Sequence, residues 1–365
     1  MILMNLKVNN FYEFNNFDIN FSYPKKIKDS TIPYEYLEEK PNFRFKRVNI
    51  IMGANATGKT IFGQTLYNIF RFLIDKDTKH LTKMIDNLQM EANFEIDLVL
   101  SDLNLYRVKC IIENEEIKTL TIEKSTITKK NSYEDCCKKF KIYANIDKIK
   151  KGDRRLKLFL TLESIEDLFT GILFAFPGEI VDKNYNIKIL NLILKTFDPS
   201  IKEVVESLEV EDTYHIVFKT GKTVIVQDGE ILKNSLSKGT EEGIEIANII
   251  DNIRKNRGLY FIDEKISYVH SELEIEILNQ MINLMDSKSQ LFFTTHNTDI
   301  LEMNLPIHSF TFFKKEEKIE AVYPESIYKR NDRSIINAVK NDVFNTIPKT
   351  DLLYELEEVC YESEQ

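Results

Sequence analysis

The stretch Gly53-Ala54-Asn55-Ala56-Thr57-Gly58-Lys59-Thr60 (GANATGKT) decides the fold that we predict for this 365-residue chain. It matches the pattern G-x-x-x-x-G-K-[ST] at every fixed position. A β-branched run, Val48 to Met52, precedes it, and apolar residues recur at helical spacing from Ile61 to Leu73 after it. A chance match to an ordinary glycine turn is disfavoured by this order of strand, turn and helix. The stretch therefore predicts a phosphate-binding loop ahead of a helix N-terminus.

Each residue type in this loop suits the binding of a nucleoside triphosphate. Gly53 and Gly58 allow the backbone to turn so that successive N–H groups face the phosphates. Lys59 is predicted to bridge the β- and γ-phosphates, and the Thr60 hydroxyl to ligate Mg²⁺. We therefore expect ATP and Mg²⁺ as ligands. The predicted nucleotide-binding residues of the loop are Gly53, Ala54, Asn55, Ala56, Thr57, Gly58, Lys59 and Thr60.

Two apolar strands predicted downstream each end in residues that can act on a phosphate. Leu259 to Ile262 is followed by Asp263 and Glu264. Asp263 is predicted to hold Mg²⁺ and Glu264 to polarise the attacking water, although two solvated acids at a strand end are the alternative. Leu291 to Thr295 is followed by His296, which can hydrogen-bond the γ-phosphate or be structural. We predict Glu264, Lys59 and His296 as catalytic residues, with Thr60 and Asp263 as metal ligands.

The segment Leu236-Ser237-Lys238-Gly239-Thr240 precedes a predicted helix, 242–254, and allows two interpretations. A serine hydroxyl, a glycine backbone and a helix N-terminus together can bind an anion. Equally, Ser237 or Thr240 can simply cap the helix. The local sequence leaves both open.

The rest of the chain predicts an α/β fold with a mixed sheet, an antiparallel β subdomain and a helical insertion. Residues 93–125 alternate as antiparallel strands, and Thr220-Gly221-Lys222 is predicted as the turn of a hairpin. The strands 259–262 and 290–295 alternate with helices, which indicates parallel pairing. The predicted divisions are 1–134, an N-terminal lobe with the loop and the antiparallel β subdomain; 135–208, a helical insertion; 209–348, a C-terminal lobe with Ser237, Asp263, Glu264 and His296; and 349–365, an acidic tail.

The composition limits the classes of partner. A net charge of −9 argues against a uniformly basic surface for nucleic acid. A local basic run, Lys138 to Lys157, is predicted either to track phosphates in a groove or to form a solvated helical face. Cys110, Cys136, Cys137 and Cys360 lack the spacing of a zinc site or a disulfide framework. We find no secretory signal and no apolar run of membrane-spanning length, so we expect a soluble, cytoplasmic protein without membrane contact.

Together, GANATGKT, LSKGT, LYFIDE and FFTTH, in this order, resemble the motifs of the ABC/SMC-like P-loop ATPases. The nearest likeness is to the ATP-binding part of OLD-family and abortive-infection AAA-type ATPases, and it extends from Val8-Asn9-Asn10-Phe11 to Arg333–Pro348. The resemblance implies a P-loop NTPase fold of the ABC/SMC-like type and ATPase activity. It also implies a homodimer, or a larger assembly, in which Ser237 and Gly239 approach the γ-phosphate bound by the other copy.

The sequence departs from the family pattern in three places. Val269-His270-Ser271 stands where Leu-His-Pro is usual, Lys265 follows the two acids, and Gln89 is only a candidate for the family's glutamine-loop residue. After Pro348 only residues 349–365 remain, so we expect a separate effector chain. The predicted function is an ATP-dependent sensor or platform in anti-phage defence. The alternatives are a DNA-repair-type ATPase that clamps nucleic acid and an inactive scaffold, the latter disfavoured by Asp263 and Glu264.

Overall fold

The computed structural model describes residues 1–24, 30–146, 154–177, 186–227, 230–233, 236–266, 269–327 and 334–344. Within them the strands are β1 (Ile2–Asn9), β2 (Phe17–Asn20), β3 (Tyr36–Leu37), β4 (Lys40–Arg44), β5 (Val48–Met52), β6 (Ala92–Val99), β7 (Leu105–Glu113), β8 (Glu116–Ser125), β9 (Lys141–Asn145), β10 (Ile172–Ala175), β11 (Ile201–Glu206), β12 (Thr213–Phe218), β13 (Thr223–Gln227), β14 (Glu230–Lys233), β15 (Leu259–Asp263), β16 (Gln290–Thr294), β17 (Phe310–Lys315) and β18 (Ile319–Val322). The helices are α1 (Lys59–Asp75), α2 (Lys79–Thr82), α3 (Tyr133–Cys137), α4 (Arg154–Glu166), α5 (Ile187–Phe197), α6 (Lys238–Lys255), α7 (Ser271–Leu284), α8 (Pro324–Ile327) and α9 (Ser334–Lys340), with 3₁₀ turns at Thr298–Glu302 and Ile307–Ser309.

A six-stranded sheet contains the strand that leads into the phosphate loop. Its order is β10-β15-β16-β5-β17-β18. The first five strands are parallel to their neighbours, and β18 pairs with β17 antiparallel. β5, β15 and β16 are buried along their whole lengths, as parallel strands covered on both faces must be. The prediction of parallel strands ending next to Glu264 and His296 is confirmed.

Alternating side chains of these strands enter two different hydrophobic cores. Phe261 and Phe292 belong to the first core together with Phe62 of α1, whose ring centroid lies 5.9 Å from that of Phe261. Ile262 and Phe293, one position further along each strand, belong to the second core with α6 and α7. Because the side chains of a strand alternate between its faces, one short apolar run fills both cores.

Three antiparallel sheets complete the described part of the fold, and the smallest of them is the two-stranded sheet β3-β4. The largest has the order β2-β1-β6-β7-β8-β9 and shares the first core with α1, which confirms the antiparallel strands predicted over 93–125. The four-stranded small sheet, β11-β12-β13-β14, packs on α5 and α6. The predicted hairpin turn is also confirmed, since Phe218 N donates to Lys222 O at 2.8 Å and Gly221 adopts φ +84°.

The segment 135–208 is not the helical insertion that we predicted. It contains the end of α3, then α4 and α5, but also β9, β10 and β11. β10 is part of the central sheet, where Phe174 pairs with Phe261 in parallel register. The periodicity of a run of four apolar residues cannot distinguish a strand from a helix, and here the hydrogen-bonded pairing with β15 makes it a strand. The domain divisions stay predictions, and the tail from 349 lies outside the described residues.

None of the helices in the described residues is long and apolar enough to cross a membrane.

Candidate nucleotide-binding site

The phosphate loop connects β5 directly to α1. Gly58 is the N-cap residue of α1 and has φ +95°, and Ala56 also lies in the left-handed region at φ +61°. Thr57 Oγ1 donates to Ala54 O at 2.8 Å, which closes the turn. Asn55 and Ala56 are exposed at its tip, Ala54 is half-buried, and Gly53 and Thr57 are buried. The loop therefore presents its backbone to solvent at the N-terminus of a 17-residue helix.

Both fixed glycines are required by close contacts as well as by backbone angles. A Cβ on Gly53 would lie 2.5 Å from the carbonyl oxygen of Phe313 and 2.6 Å from Thr57 Oγ1. A Cβ on Gly58 would lie 2.6 Å from Ile319 Cδ1. β17 and β18 thus pack against the loop, with a backbone oxygen beside Gly53 and the end of a side chain beside Gly58, and glycine suits both positions.

Lys59 lies buried where the loop meets the ends of β15 and β16. Its Nζ donates to Gly53 O at 3.0 Å and to Ala54 O at 3.2 Å. The same Nζ is 3.6 Å from Glu264 Oε1 and 3.4 Å from His296 Nδ1. Burial lowers the pKa of Lys59, and the neighbouring carboxylates of Glu264 and Asp263 oppose that shift. A buried cation beside a turn of backbone N–H groups is suited to bind a polyphosphate.

The two acids differ because their surroundings differ. Asp263 is fully buried, and burial raises the pKa of its carboxyl group, while the hydroxyl groups of Thr294 and Thr60 favour the ionised form. Thr294 Oγ1 donates to Asp263 Oδ1 at 2.6 Å. Glu264 is partly exposed, and its pKa is lowered chiefly by the hydrogen bond from His296. Glu264 is therefore ionised at neutral pH and accessible to water.

Glu264 also has a strained backbone. Its φ of +47° is unusual for a residue other than glycine. Its N–H points at Thr294, with Oγ1 at 3.1 Å and the carbonyl oxygen at 3.3 Å. With this backbone conformation just after β15, the Glu264 side chain places Oε1 2.7 Å from His296 Nε2. In the neutral tautomer with the proton on Nε2, His296 donates to Glu264 and presents Nδ1 to Lys59.

The donor set fits a magnesium ion bound together with phosphate. Among the described residues Asp263 Oδ2 is buried and makes no hydrogen bond, so it is free to ligate a cation. Thr60 is close enough to influence the pKa of the same carboxyl group. The described part of the chain contains no group of three His, Cys, Asp or Glu side chains that could hold a metal by themselves. One carboxylate and one hydroxyl, completed by phosphate oxygens and water, match the way Mg²⁺ is usually bound.

The structure thus brings Lys59, Asp263, Glu264 and His296 together beside the phosphate loop, and their catalytic and ligand roles stay predictions. Ser237 is the N-cap of α6, where its Oγ accepts from Thr240 N at 3.1 Å, which is the capping geometry of one interpretation. Ser237 and Lys238 are nevertheless exposed, so the turn also remains open to a second molecule.

The two weaker sequence candidates lie outside this group. Gln89 is exposed in the turn before β6, where its N–H donates to Asn87 Oδ1 at 3.0 Å. His270 is the exposed N-cap residue of α7, and its carbonyl oxygen accepts from Leu273 N at 2.9 Å. Neither placement supports a catalytic role.

Two residues of this region, Thr294 and Glu274, were missed by sequence reasoning, and a third, Lys265, was noted without its partner. Thr294 binds Asp263 and the Glu264 backbone, and Glu274 of α7 accepts hydrogen bonds from Thr295 and Asn297 on either side of His296. Lys265 forms an ion pair with Glu245 of α6. The sequence contained one usable signal: Glu274 stands three and four residues before Ile277 and Leu278, on the apolar face of its helix.

Comparisons with known proteins identify the fold. No protein-family model and no curated protein matches the chain. Among solved structures, an SMC head bound to the C-terminal winged-helix domain of ScpA is 12% identical, with a TM-score of 0.53, over 90% of this chain and 100% of that one. An SMC head domain with an extended coiled coil, bound to the C-terminal domain of ScpA derived from Pyrococcus furiosus, has a TM-score of 0.49 at 12% identity, over 93% and 99% of the two chains. The recombination mediator RecF, in its RecF-ATP structure, has 0.46 at 9% identity, over 88% and 99%. The first of these likenesses shows that the chain has the fold of an SMC head domain, with a mixed α/β architecture.

Proposed function

We propose that the chain binds ATP with Mg²⁺ and hydrolyses it. The observation that supports this best is the grouping of Lys59, Glu264 and His296, in which Lys59 Nζ lies within 3.6 Å of both other side chains. These groups lie beside the N-terminus of α1 and the loop before it, in which a Cβ on Gly53 would lie 2.5 Å from a backbone oxygen and Gly58 has φ +95°. The SMC head fold supports the same proposal by analogy.

In this mechanism the chain's own groups position the triphosphate and the water. The loop backbone and Lys59 bind the phosphate oxygens, and Thr60 and Asp263 hold the cation. Mg²⁺, when bound, neutralises charge that develops on the phosphates. Glu264, ionised and held by His296, orients the attacking water and accepts hydrogen bonds from it. His296 connects Glu264 to Lys59, so one network links the water-binding side to the phosphate-binding side.

We further propose that two copies enclose the nucleotide. The turn Ser237–Gly239 is at the surface, at the N-terminus of an 18-residue helix, and supplies N–H groups and a hydroxyl. In the proposed dimer this turn binds an anion that is held by the other copy. The dimer is then the smallest active assembly, and larger assemblies would be built from it.

The wider role that we propose is a cytoplasmic sensor or regulatory platform for a separate effector protein, of the OLD-like kind associated with anti-phage defence. The similar SMC head was solved with a bound domain of ScpA. That a head of this fold can carry a partner protein supports the proposal of a protein effector here.

An alternative is direct clamping of nucleic acid, and one surface favours it. Lys138, Lys139 and Lys141 are exposed around the edge strand β9, beside the exposed ring of Tyr143. Cationic side chains interleaved with an aromatic ring suit a single-stranded or unpaired backbone. Of the predicted basic run, residues 147–153 lie outside the described residues.

The decisive test of ATP hydrolysis is Glu264→Gln, which keeps the shape of the side chain and removes its charge. We expect hydrolysis to slow by about 10²- to 10⁴-fold, as for loss of a catalytic base, while ATP binding persists and a dimer accumulates. Phosphate release measures hydrolysis, and a nucleotide-dependent mass measurement reports ATP binding through the dimer that accumulates. Glu276→Gln, an exposed glutamate of α7, is the matched control. Normal hydrolysis by Glu264→Gln, or wild-type protein that consumes no ATP with any companion, would refute the proposal.

The nucleic-acid alternative is tested by its dependence on salt. If Lys138, Lys139 and Lys141 bind phosphates, their joint replacement by Gln weakens binding and lowers the slope of log K against log salt by about 0.7 to 0.9 for each phosphate that is no longer neutralised. The control is the same replacement at three exposed lysines of the small sheet and its turns, Lys202, Lys219 and Lys222. Equal slopes for the two triple variants would exclude this surface.

A further inference from the structure

Glu274 is a buried carboxylate that the proposed chemistry does not use. It lies in the first turn of α7 and is 7% exposed. Burial raises the pKa of its carboxyl group, because removing the charged carboxylate from water is unfavourable for folding. A buried carboxylate on the apolar face of a helix needs hydrogen-bond donors to offset its loss of solvation. The donors to Glu274 lie just after β16.

The two carboxylate oxygens bind the residues on either side of His296. Oε1 accepts from Thr295 Oγ1 at 2.7 Å, and Oε2 accepts from Asn297 Nδ2 at 2.8 Å. Asn297 N donates in turn to Thr295 Oγ1 at 2.9 Å, which closes a ring of hydrogen bonds. The peptide of His296 is therefore tied to α7 from both sides.

The imidazole of His296 depends on hydrogen bonds for its position, because packing contributes little. Its side chain is 41% exposed, so packing does not fix its rotamer. Yet its ring spans the site, with Nε2 2.7 Å from Glu264 Oε1 and Nδ1 3.4 Å from Lys59 Nζ. Thr295 N also donates to Ile51 O at 3.2 Å, which anchors the same segment to the strand before the phosphate loop.

We propose that Glu274 is a positioning residue for ATP hydrolysis, which acts by fixing the Thr295–Asn297 segment so that His296 bridges Glu264 and Lys59. This inference rests on the proposed function. It assigns Glu274 no contact with nucleotide or water. Its effect on catalysis passes through His296 alone.

The test is a double-mutant cycle between Glu274→Ala and His296→Ala. Glu274→Ala is expected to lower kcat by about 10- to 100-fold, the scale of a misplacement near 1 Å, with KM for ATP changed less than about twofold. In the His296→Ala background the same change has no further effect, because the group through which it acts is already absent. Effects that multiply in the double variant would overturn the proposal.

A conservative variant separates positioning from stability. In Glu274→Gln the amide oxygen still accepts from Asn297, and the amide NH₂ can donate to Thr295, so most of the activity returns. Asn297→Ala removes the hydrogen bond between Asn297 and Glu274 without changing Glu274, and we expect it to lower kcat as well. This variant replaces Glu274→Ala in the test if Glu274→Ala is too unstable to purify. Glu276→Ala, on the exposed face of α7, leaves kcat unchanged. Wild-type kcat in Asn297→Ala would count against the proposal.

A spectroscopic readout distinguishes failure of this inference from failure of the proposed function. The chain has five histidines, so the His296 imidazole signals can be assigned by their loss in His296→Ala. Glu274→Ala is expected to shift those signals and Glu276→Ala to leave them in place, whether or not ATP is hydrolysed. Unshifted His296 signals in Glu274→Ala refute the positioning role. Wild-type protein without ATPase activity refutes the proposed function.

Discussion

Gly58 shows how much of the site depends on a single backbone position. The residue has φ +95°, and a Cβ there would meet Ile319 Cδ1 at 2.6 Å. The sequence motif supplies the glycine, but the neighbour that makes it necessary lies far along the chain, in β18. The requirement for left-handed backbone could be predicted from the motif, whereas the steric requirement could not.

Gly58→Ala is therefore expected to weaken nucleotide binding. Adopting left-handed backbone costs an alanine about 1–2 kcal/mol, and the clash adds to it, so affinity for ATP should fall at least about tenfold. Titration calorimetry with ATP measures this. Ala56→Gly is the control, because Ala56 has φ +61° at the exposed tip and glycine removes strain there. Equal affinities of Gly58→Ala and wild type would contradict this account of the loop.

Asp263 leads to a prediction about magnesium. Its Oδ2 makes no hydrogen bond among the described residues, and its Oδ1 is held by Thr294. Asp263→Asn removes the charge that a divalent cation needs, so the Mg²⁺ concentration for half-maximal hydrolysis should rise by at least about 10- to 100-fold. Asp251→Asn alters another buried aspartate, on α6, and should leave the Mg²⁺ dependence unchanged. An unaltered Mg²⁺ requirement in Asp263→Asn would remove Asp263 from the metal site.

The residues missed by sequence reasoning share a physical reason. Thr294 and Glu274 act through hydrogen bonds between β16 and neighbours that are distant in sequence, and no motif encodes such pairs. The P-loop, Asp263, Glu264 and His296 were predictable because each follows a strand at a fixed place in the chain. Motif spacing thus predicts which side chains reach the site, and tertiary packing decides what holds them.

At the scale of elements, α6 is joined to the turn after β15 by an ion pair whose lysine is buried. Lys265, which follows Glu264, is 2% exposed and pairs with Glu245 of α6. The family pattern has a different residue at this position, so sequence reasoning could register the departure but not its partner. The pair connects α6, which Ser237 caps, to the turn that contains Glu264, the proposed catalytic base.

Lys265→Met should lower the free energy of unfolding by about 1–3 kcal/mol, because it leaves Glu245 without its cation. The double variant Lys265→Met/Glu245→Gln should recover part of that loss, since no unpaired charge remains. Chemical denaturation measures both. Lys315→Met, which breaks the exposed pair with Glu13 at 2.6 Å, is the control, expected to change stability by less than about 1 kcal/mol. Equal losses of unfolding free energy for Lys265→Met and Lys315→Met would show that the pair of Lys265 with Glu245 contributes no more to stability than an exposed ion pair.

Long periodic elements were predictable and short ones were not. α1 and the antiparallel strands over 93–125 have enough residues for a period to be read. β10 has four residues, and its assignment depends on pairing with β15, from which it is separated by α5, α6 and the small sheet. A helical insertion was predicted there because local pattern cannot represent that pairing.

At the scale of the whole molecule, the fold places the phosphate loop and the turn at Ser237 on separate elements, α1 and α6. α6 contributes to two hydrophobic cores: Ile249 lies in the second core of the central sheet, and Ala247 lies in the core beneath the small sheet. Packing on both sides makes α6 a rigid support for the exposed turn at its N-terminus. The SMC head fold was predictable from motif order although identity to the similar SMC head is only 12%.

The proposed dimer predicts that Ser237→Arg abolishes hydrolysis while each copy still binds ATP, because a bulky cation would occupy the turn that faces the other copy's nucleotide. Calorimetry measures ATP binding, and phosphate release measures hydrolysis. A mass measurement in the Glu264→Gln background shows whether the dimer forms. Losing the cap itself costs about 0.5–2 kcal/mol, so the control is Ser132→Arg, which removes the corresponding cap of α3. If Ser237→Arg hydrolyses ATP as fast as Ser132→Arg, the turn at Ser237 only caps its helix and the nucleotide is bound without a second copy.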